Sequence, residues 1–275
     1  MPDSSFNSEN IKEITSNIPV HLTDEEKETV QSFRNFLFVK KIRENLITGE
    51  MQEAHLDGPF LTSYKIKWKI YQSATSDYNQ AKISFDHATS PEDVTRWSLT
   101  VDDLSQVQRS ANNDWIVGGY KNEIEIMISY INQVTNPDNV STNRKTSSAV
   151  PLQFSNVEKE KIEKFRNLLY VKRTKKHLIY GDTYEVIEEA PMMITYKEKM
   201  QNYLKYSKKY REAETSLLHL TNAGVIVDGM DTRFEKQMML TAHDEWITSG
   251  YKNEVEEMSA YINQVTQRSL FYYHY

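Results

Sequence analysis

The amino-acid sequence predicts an all-α protein, elongated and built from two tandem duplicated bundles of long antiparallel helices, three helices to a repeat. Three observations lead there: few helix breakers, apolar residues spaced three and four apart, and a chain that repeats itself. The 275 residues include only 8 Gly and 7 Pro, against 17 Tyr and 10 Phe, with 26% charged. That balance fits helices better than a barrel, a collagen-like chain or a disordered one.

The repeat is read directly. Phe33-Arg34-Asn35 returns as Phe165-Arg166-Asn167, an offset of 132 that also carries Leu37, Val39, Lys40 and Gly49 onto Leu169, Val171, Lys172 and Gly181. Further on, Pro59, Tyr64, Lys65, Lys67, Tyr71, Tyr78 and His87 recur as Pro191, Tyr196, Lys197, Lys199, Tyr203, Tyr210 and His219. One deletion then reduces the offset to 131. Trp115-Ile116-x-x-Gly119-Tyr120-Lys121-Asn122-Glu123 returns as Trp246-Ile247-x-x-Gly250-Tyr251-Lys252-Asn253-Glu254, and Tyr130 to Thr135 is repeated unchanged at Tyr261 to Thr266. Ordered matches of this number point to duplication. The chain therefore divides into a disordered polar leader (1–22), helical repeat 1 (23–135), a linker (136–154), helical repeat 2 (155–266) and an aromatic C-terminal tail (267–275).

Each element has a local reason. Thr23 and Glu26 form a capping box, and Gly49 offers a C′ stop, so the first helix is expected between them, with Phe33, Phe36, Leu37 and Val39 inward. Pro59 and Pro191 open the second helix of each repeat, because proline suits a first turn. Ser90 followed by Pro91 opens a third, long helix. Its stripe of Ile116, Tyr120, Ile124, Met127, Ile131 and Val134 steps by three and four, the seven-residue pattern of antiparallel bundles. Pro, Asn, Ser and Thr cluster in 136–151, where periodicity stops.

Several functions are excluded. Without cysteine there is no disulfide framework and no thiolate metal site. A net charge of −6 argues against sequence-independent nucleic-acid binding. No run approaches ~18 apolar residues, so no transmembrane segment is expected. Residues 1–22 lack the basic start and apolar core of a Sec signal, which places the protein in the cytoplasm or on a secretion route that needs no such signal.

The candidate site residues come from the repeat. Tyr64, Tyr71 and Tyr78, like Tyr196, Tyr203 and Tyr210, lie seven apart on one helical line. They read either as core, with hydroxyls at the rim or against Lys65 and Lys67, or as a ligand groove. The most faithful segment supplies interface candidates: Trp115, Gly119, Tyr120 and Lys121, with Trp246, Gly250, Tyr251 and Lys252. Glycine within a helix costs roughly 0.5–1 kcal/mol, which close packing of a helix or ring would offset. Lys121, Glu123 and Glu125, with Lys252, Glu254 and Glu256, read as solvated helix charges, and His87 and His219 as helix-end caps. Phe271, Tyr272, Tyr273 and Tyr275 are expected to dock on the bundle or on another subunit.

The search for catalysis yields nothing firm. There is no P-loop, GxSxG, GxGxxG or HExxH. Ser249-Gly250-Tyr251-Lys252 matches SxxK, yet its counterpart Gly118-Gly119-Tyr120-Lys121 lacks the serine. No cofactor, metal or catalytic residue is expected. The leading expectation is a non-enzymatic structural or protein-binding module that forms a homo-oligomer or takes a protein partner. A secreted bacterial effector or toxin component and a small-molecule binder with a tyrosine-lined interior are the alternatives.

Overall fold

The computed structural model describes residues 22–44, 51–135, 154–176, 183–223 and 232–271. Most of the leader and linker, the Gly49 and Gly181 stops, and Tyr272, Tyr273 and Tyr275 lie outside these, as does the side chain of Phe271. Among the described residues there are eight helices and two small antiparallel hairpins, so the fold is all-α.

Helix α1 (Asp24–Leu37) begins with the capping box: the Glu26 amide donates to Thr23 Oγ1 at 3.2 Å, and the Thr23 amide donates to the Glu26 carboxylate at 2.8 Å. Val30, Phe33 and Leu37 face inward. The helix does not run to Gly49. At Phe38 the backbone becomes extended and continues as β1 (Phe38–Glu44), antiparallel to β2 (Met51–Asp57). Val39 and Ile42 are exposed on the hairpin, and such β-branched side chains fit a pleated surface better than a helix turn. The Gly58 amide donates to the Leu37 carbonyl at 2.8 Å and closes the hairpin back on the helix.

The next helices start where the sequence places them. Helix α2 (Pro59–Asp86) has Pro59 in its first turn, and α3 (Pro91–Val117) is capped by Ser90, whose Oγ accepts from the Asp93 amide at 3.0 Å. The expected single long third helix is broken. The Gly118 and Gly119 amides both donate to the Asp114 carbonyl, Tyr120 takes a left-handed φ of 52°, and α4 (Lys121–Thr135) begins anew. A side chain in that region costs roughly 1–2 kcal/mol, which the Tyr120 ring offsets by packing on Phe60 at 4.8 Å.

The same order recurs in α5 (Asn156–Leu169), β3 (Tyr170–Lys176), β4 (Thr183–Glu189), α6 (Pro191–Asn222), α7 (Arg233–Thr248) and α8 (Lys252–Phe271). Ser155 and Glu158 repeat the capping box, and Tyr251 repeats the left-handed break at φ 55°. Each half thus holds four helices and a hairpin instead of three helices.

Two apolar clusters form the core. The first gathers Val30, Leu37, Leu61, Tyr64, Trp115, Ile124 and Ile131. The second gathers Ile162, Leu169, Met193, Tyr196, Trp246 and Ile262, and it also contains Ile116 and Val117 from the first half. The halves share a core along a seam where α3 meets α6 and α8.

Candidate binding groove at the seam

The seam is polar at its centre. Asp114, one turn from the end of α3, is buried, with Lys67 Nζ 2.7 Å from Oδ1 and Lys197 Nζ 2.8 Å from Oδ2. The Tyr170 hydroxyl donates to the same carboxylate. Burial alone would favour the neutral acid, yet the two ammonium groups hold Asp114 below its ordinary range. For Lys197, burial favours the free amine, but Asp114 and Glu189 hold the ammonium above its usual pKa. Burial pushes the Tyr170 phenol well above 10, and the neighbouring carboxylate adds to the shift.

Beside this hub, Arg166 reaches across from α5. Its Nε donates to the Val117 carbonyl at 3.1 Å and its Nη2 to Glu123 at 2.5 Å, while the guanidinium lies 4.0 Å over the Tyr120 ring. A cation at the end of α3 also meets the negative end of that helix. Asn122 Nδ2 donates to Thr266 Oγ1 at 2.7 Å, joining α4 to α8. Gly118 permits this approach, since a Cβ there would stand 2.5 Å from the Tyr170 ring.

Where the seam opens to solvent it leaves a groove of about 380 Å³. Phe60 and Tyr120 line it from the first half, and Phe154, Ile162, Tyr170 and Ile187 from the second. Phe60 is held by Phe36, stacked at 4.2 Å. Lys159, Glu163 and Lys172 stand at the lining, with Lys172 5.4 Å over the Phe60 ring. An apolar floor with cations beside it can take a large apolar side chain and a nearby carboxylate.

Comparison of the chain with family models, curated proteins and solved structures found no match.

The residues singled out from the sequence are dispersed. Trp115 and Trp246 are buried in the first and second cores, stacked on Tyr71 at 5.4 Å and on Tyr203 at 5.7 Å. Gly119 and Gly250 are buried beneath them; a Cβ would lie 2.4 Å and 2.6 Å from the Trp115 and Trp246 carbonyls. Tyr120 alone of the eight interface candidates lines the groove, whereas Tyr251 is exposed. Lys121 and Lys252 pair with Glu125 and Glu256 at 3.0 and 2.9 Å.

The first two tyrosines of each ladder turn towards the tryptophans. Tyr64 and Tyr196 are buried, Tyr71, Tyr78, Tyr203 and Tyr210 are half-buried, and none lines this groove. Burial, reinforced by Glu125 and Glu256 respectively, raises the Tyr64 phenol and raises that of Tyr196 to about 12. The lysines expected to meet their hydroxyls meet carboxylates instead: Lys65 takes Asp57 at 2.6 Å and Lys67 takes Asp114 at 2.7 Å. Glu123, expected in solvent, is buried against Arg166.

His87 caps α2, its Nδ1 2.7 Å from the Ile83 carbonyl, and His219 lies in the last turn of α6. Ser249 Oγ donates to the Glu245 carbonyl at 2.9 Å, away from Lys252. Among the described residues, no group of three His, Asp or Glu is placed to hold a metal, and no helix is long and apolar enough to cross a membrane.

Phe60, Phe154, Ile162, Arg166, Lys172 and Ile187 were not singled out from sequence. A signal existed for Arg166 and Lys172: both are kept in the two copies beside apolar positions, as Arg34 and Arg166 and as Lys40 and Lys172.

Proposed function

We propose that this chain is a non-enzymatic protein-binding module whose seam groove takes an apolar side chain, flanked by acidic residues, from a protein partner. The observation that carries this reading is the aromatic and aliphatic groove of about 380 Å³ with Lys159 and Lys172 beside it. Aromatic anchors in a desolvated pocket with a charged rim are the usual basis of a protein contact.

The test is selection of a random peptide library on the full-length protein and on an Ile187→Lys variant, at a half-buried position of β4 that lines the groove, with the variant's fold checked by circular dichroism. Enriched peptides should pair a large apolar residue with Asp or Glu and bind the variant at least about tenfold more weakly, which corresponds to one lost anchor. Failure to enrich, or equal binding to both proteins, would sink the proposal. A small-molecule ligand is the second reading, favoured by a groove volume within the ~300–1,000 Å³ of known ligand pockets. An apolar anionic dye displaced from wild type by no selected peptide would favour it.

A further inference from the structure

The joint between the halves is heterologous: α3 and α4 of the first half meet α5, α6 and α8 of the second. Each half therefore presents a different face to it. Through the sequence offsets, the receiving face of the second half recurs on the first as Arg34, Asn132 and Thr135. The inserting face of the first half recurs on the second as Tyr251, Asn253 and Glu254.

Neither recurrence has its counterpart's partner. Arg34 Nε and Nη2 are buried with no acceptor, and these are the two atoms that on Arg166 bind the Val117 carbonyl and Glu123. Asn253 and Glu254 are exposed, whereas Asn122 and Glu123 are buried. A second pair of features repeats the relationship. An open groove of about 640 Å³ runs along α2, lined by Trp68, Tyr71, Thr75 and Asn79. On α6 the counterparts of Thr75 and Asn79 are Ser207 and Arg211, and both are taken up by Asp103 of α3. Counted back along α7 from Trp246, the counterpart of Asp103 is Phe234, an aromatic ring 70% exposed.

We propose that a second copy of this chain docks head to tail on the α1 and α2 face, bringing Phe234 into the α2 groove and Glu254 to Arg34, whose half-buried side chain turns outward to meet it. The internal joint is thereby repeated between molecules. A heterologous contact builds an open string, or a ring where the rotation closes. Thr248 and Glu257 stand where Val117 and Ile126 are buried in the first half, so the intermolecular joint is weaker than the internal one and assembly rises with concentration. The inference goes beyond the partner groove proposed above and uses other residues, so the Ile187→Lys variant should assemble as wild type does.

Sedimentation velocity of the full chain over a roughly thousandfold concentration range, spanning micromolar to millimolar affinities, tests it. The weight-average mass should climb with concentration. Glu254→Arg alone and Arg34→Glu alone should each remain monomeric, and their equimolar mixture should regain assembly, because each variant is mismatched with itself and matched with the other. Phe234→Glu, at an exposed site, should lose assembly even if Arg34→Glu does not fold. A mass fixed at the monomer, or assembly that survives the charge reversals, would overturn the proposal. So would a monomer whose residues 1–21 are protected from amide exchange, which would assign the face to that segment.

Discussion

Asn122 and Thr266, from opposite halves of the chain, are both fully buried and joined by a 2.7 Å hydrogen bond across the seam. The repeat carries an asparagine at Asn253 as well, where it is exposed. The same substitution should therefore have two outcomes. Asn122→Ala is expected to cost about 1–3 kcal/mol, the loss of a buried bond, and Asn253→Ala to stay within about 0.5 kcal/mol. Urea denaturation at low protein concentration compares them, and equal costs would show that the seam bond contributes nothing.

Asp114 links stability to pH. Its carboxyl titrates lower in the fold than the ordinary value of 3.8, so the unfolded chain binds that proton more tightly. The stabilisation is fully present above that ordinary value and is lost as pH falls through the lowered folded value. At pH 7, Asp114→Asn strands Lys67 beside a neutral amide, leaves Lys197 with Glu189 alone, and is expected to cost about 3–5 kcal/mol. The gap between wild type and variant, followed by urea midpoints, should hold from pH 7 down to the ordinary value of 3.8 and narrow below it; a gap that stays constant below it would refute the link.

Tyr120 and Tyr251 share a left-handed backbone but not an environment. Asparagine tolerates that conformation better than tyrosine does. At Tyr251, which is exposed, this gain works against a modest loss of packing; at Tyr120 the contacts with Phe60, Phe36 and Arg166 go as well. Tyr120→Asn is expected to be at least about 2 kcal/mol more destabilising than Tyr251→Asn. Thermal melts of the two variants would decide.

Trp115 and Trp246 belong to the two cores, so either one changed to alanine should cost about 3–5 kcal/mol. Peptide affinity at the groove, per mole of folded protein, should hardly change. A loss of affinity without a loss of stability would return both tryptophans to the surface.

Helix starts were legible because their chemistry is local. Thr23 with Glu26, Pro59, Ser90 with Pro91, and Pro191 each carry a first-turn signal that needs no tertiary context. The hairpins were not legible. Val39 lies on a strand whose outward positions are solvated, so no alternation of buried and exposed residues marks it, and it stands a helical three-residue step beyond Phe36. The second hairpin is held by charges instead, with Lys172 on Glu185 at 2.8 Å and Arg173 on Glu188 at 3.2 Å. The break at Tyr120 was hidden because Ile116, Tyr120 and Ile124 keep their four-residue steps through it. The groove was hidden for a deeper reason: Phe60 and Ile187 meet only because the halves pack together, and an internal repeat reveals what two copies share, not how one lies on the other.

The membership of Ile116 and Val117 in the second core has a consequence for synthesis. A ribosome releases the first half before the residues that cover these two exist. At about 5–20 residues per second, the wait for Trp246 and Ile262 is on the order of ten seconds. Through that interval the apolar end of α3 faces water beside the Asp114–Lys67 pair and Glu123, with Lys197 and Arg166 still to come. The carboxylates that complete the seam in the finished protein thus stand on the surface of the nascent half until their cations from the second half emerge.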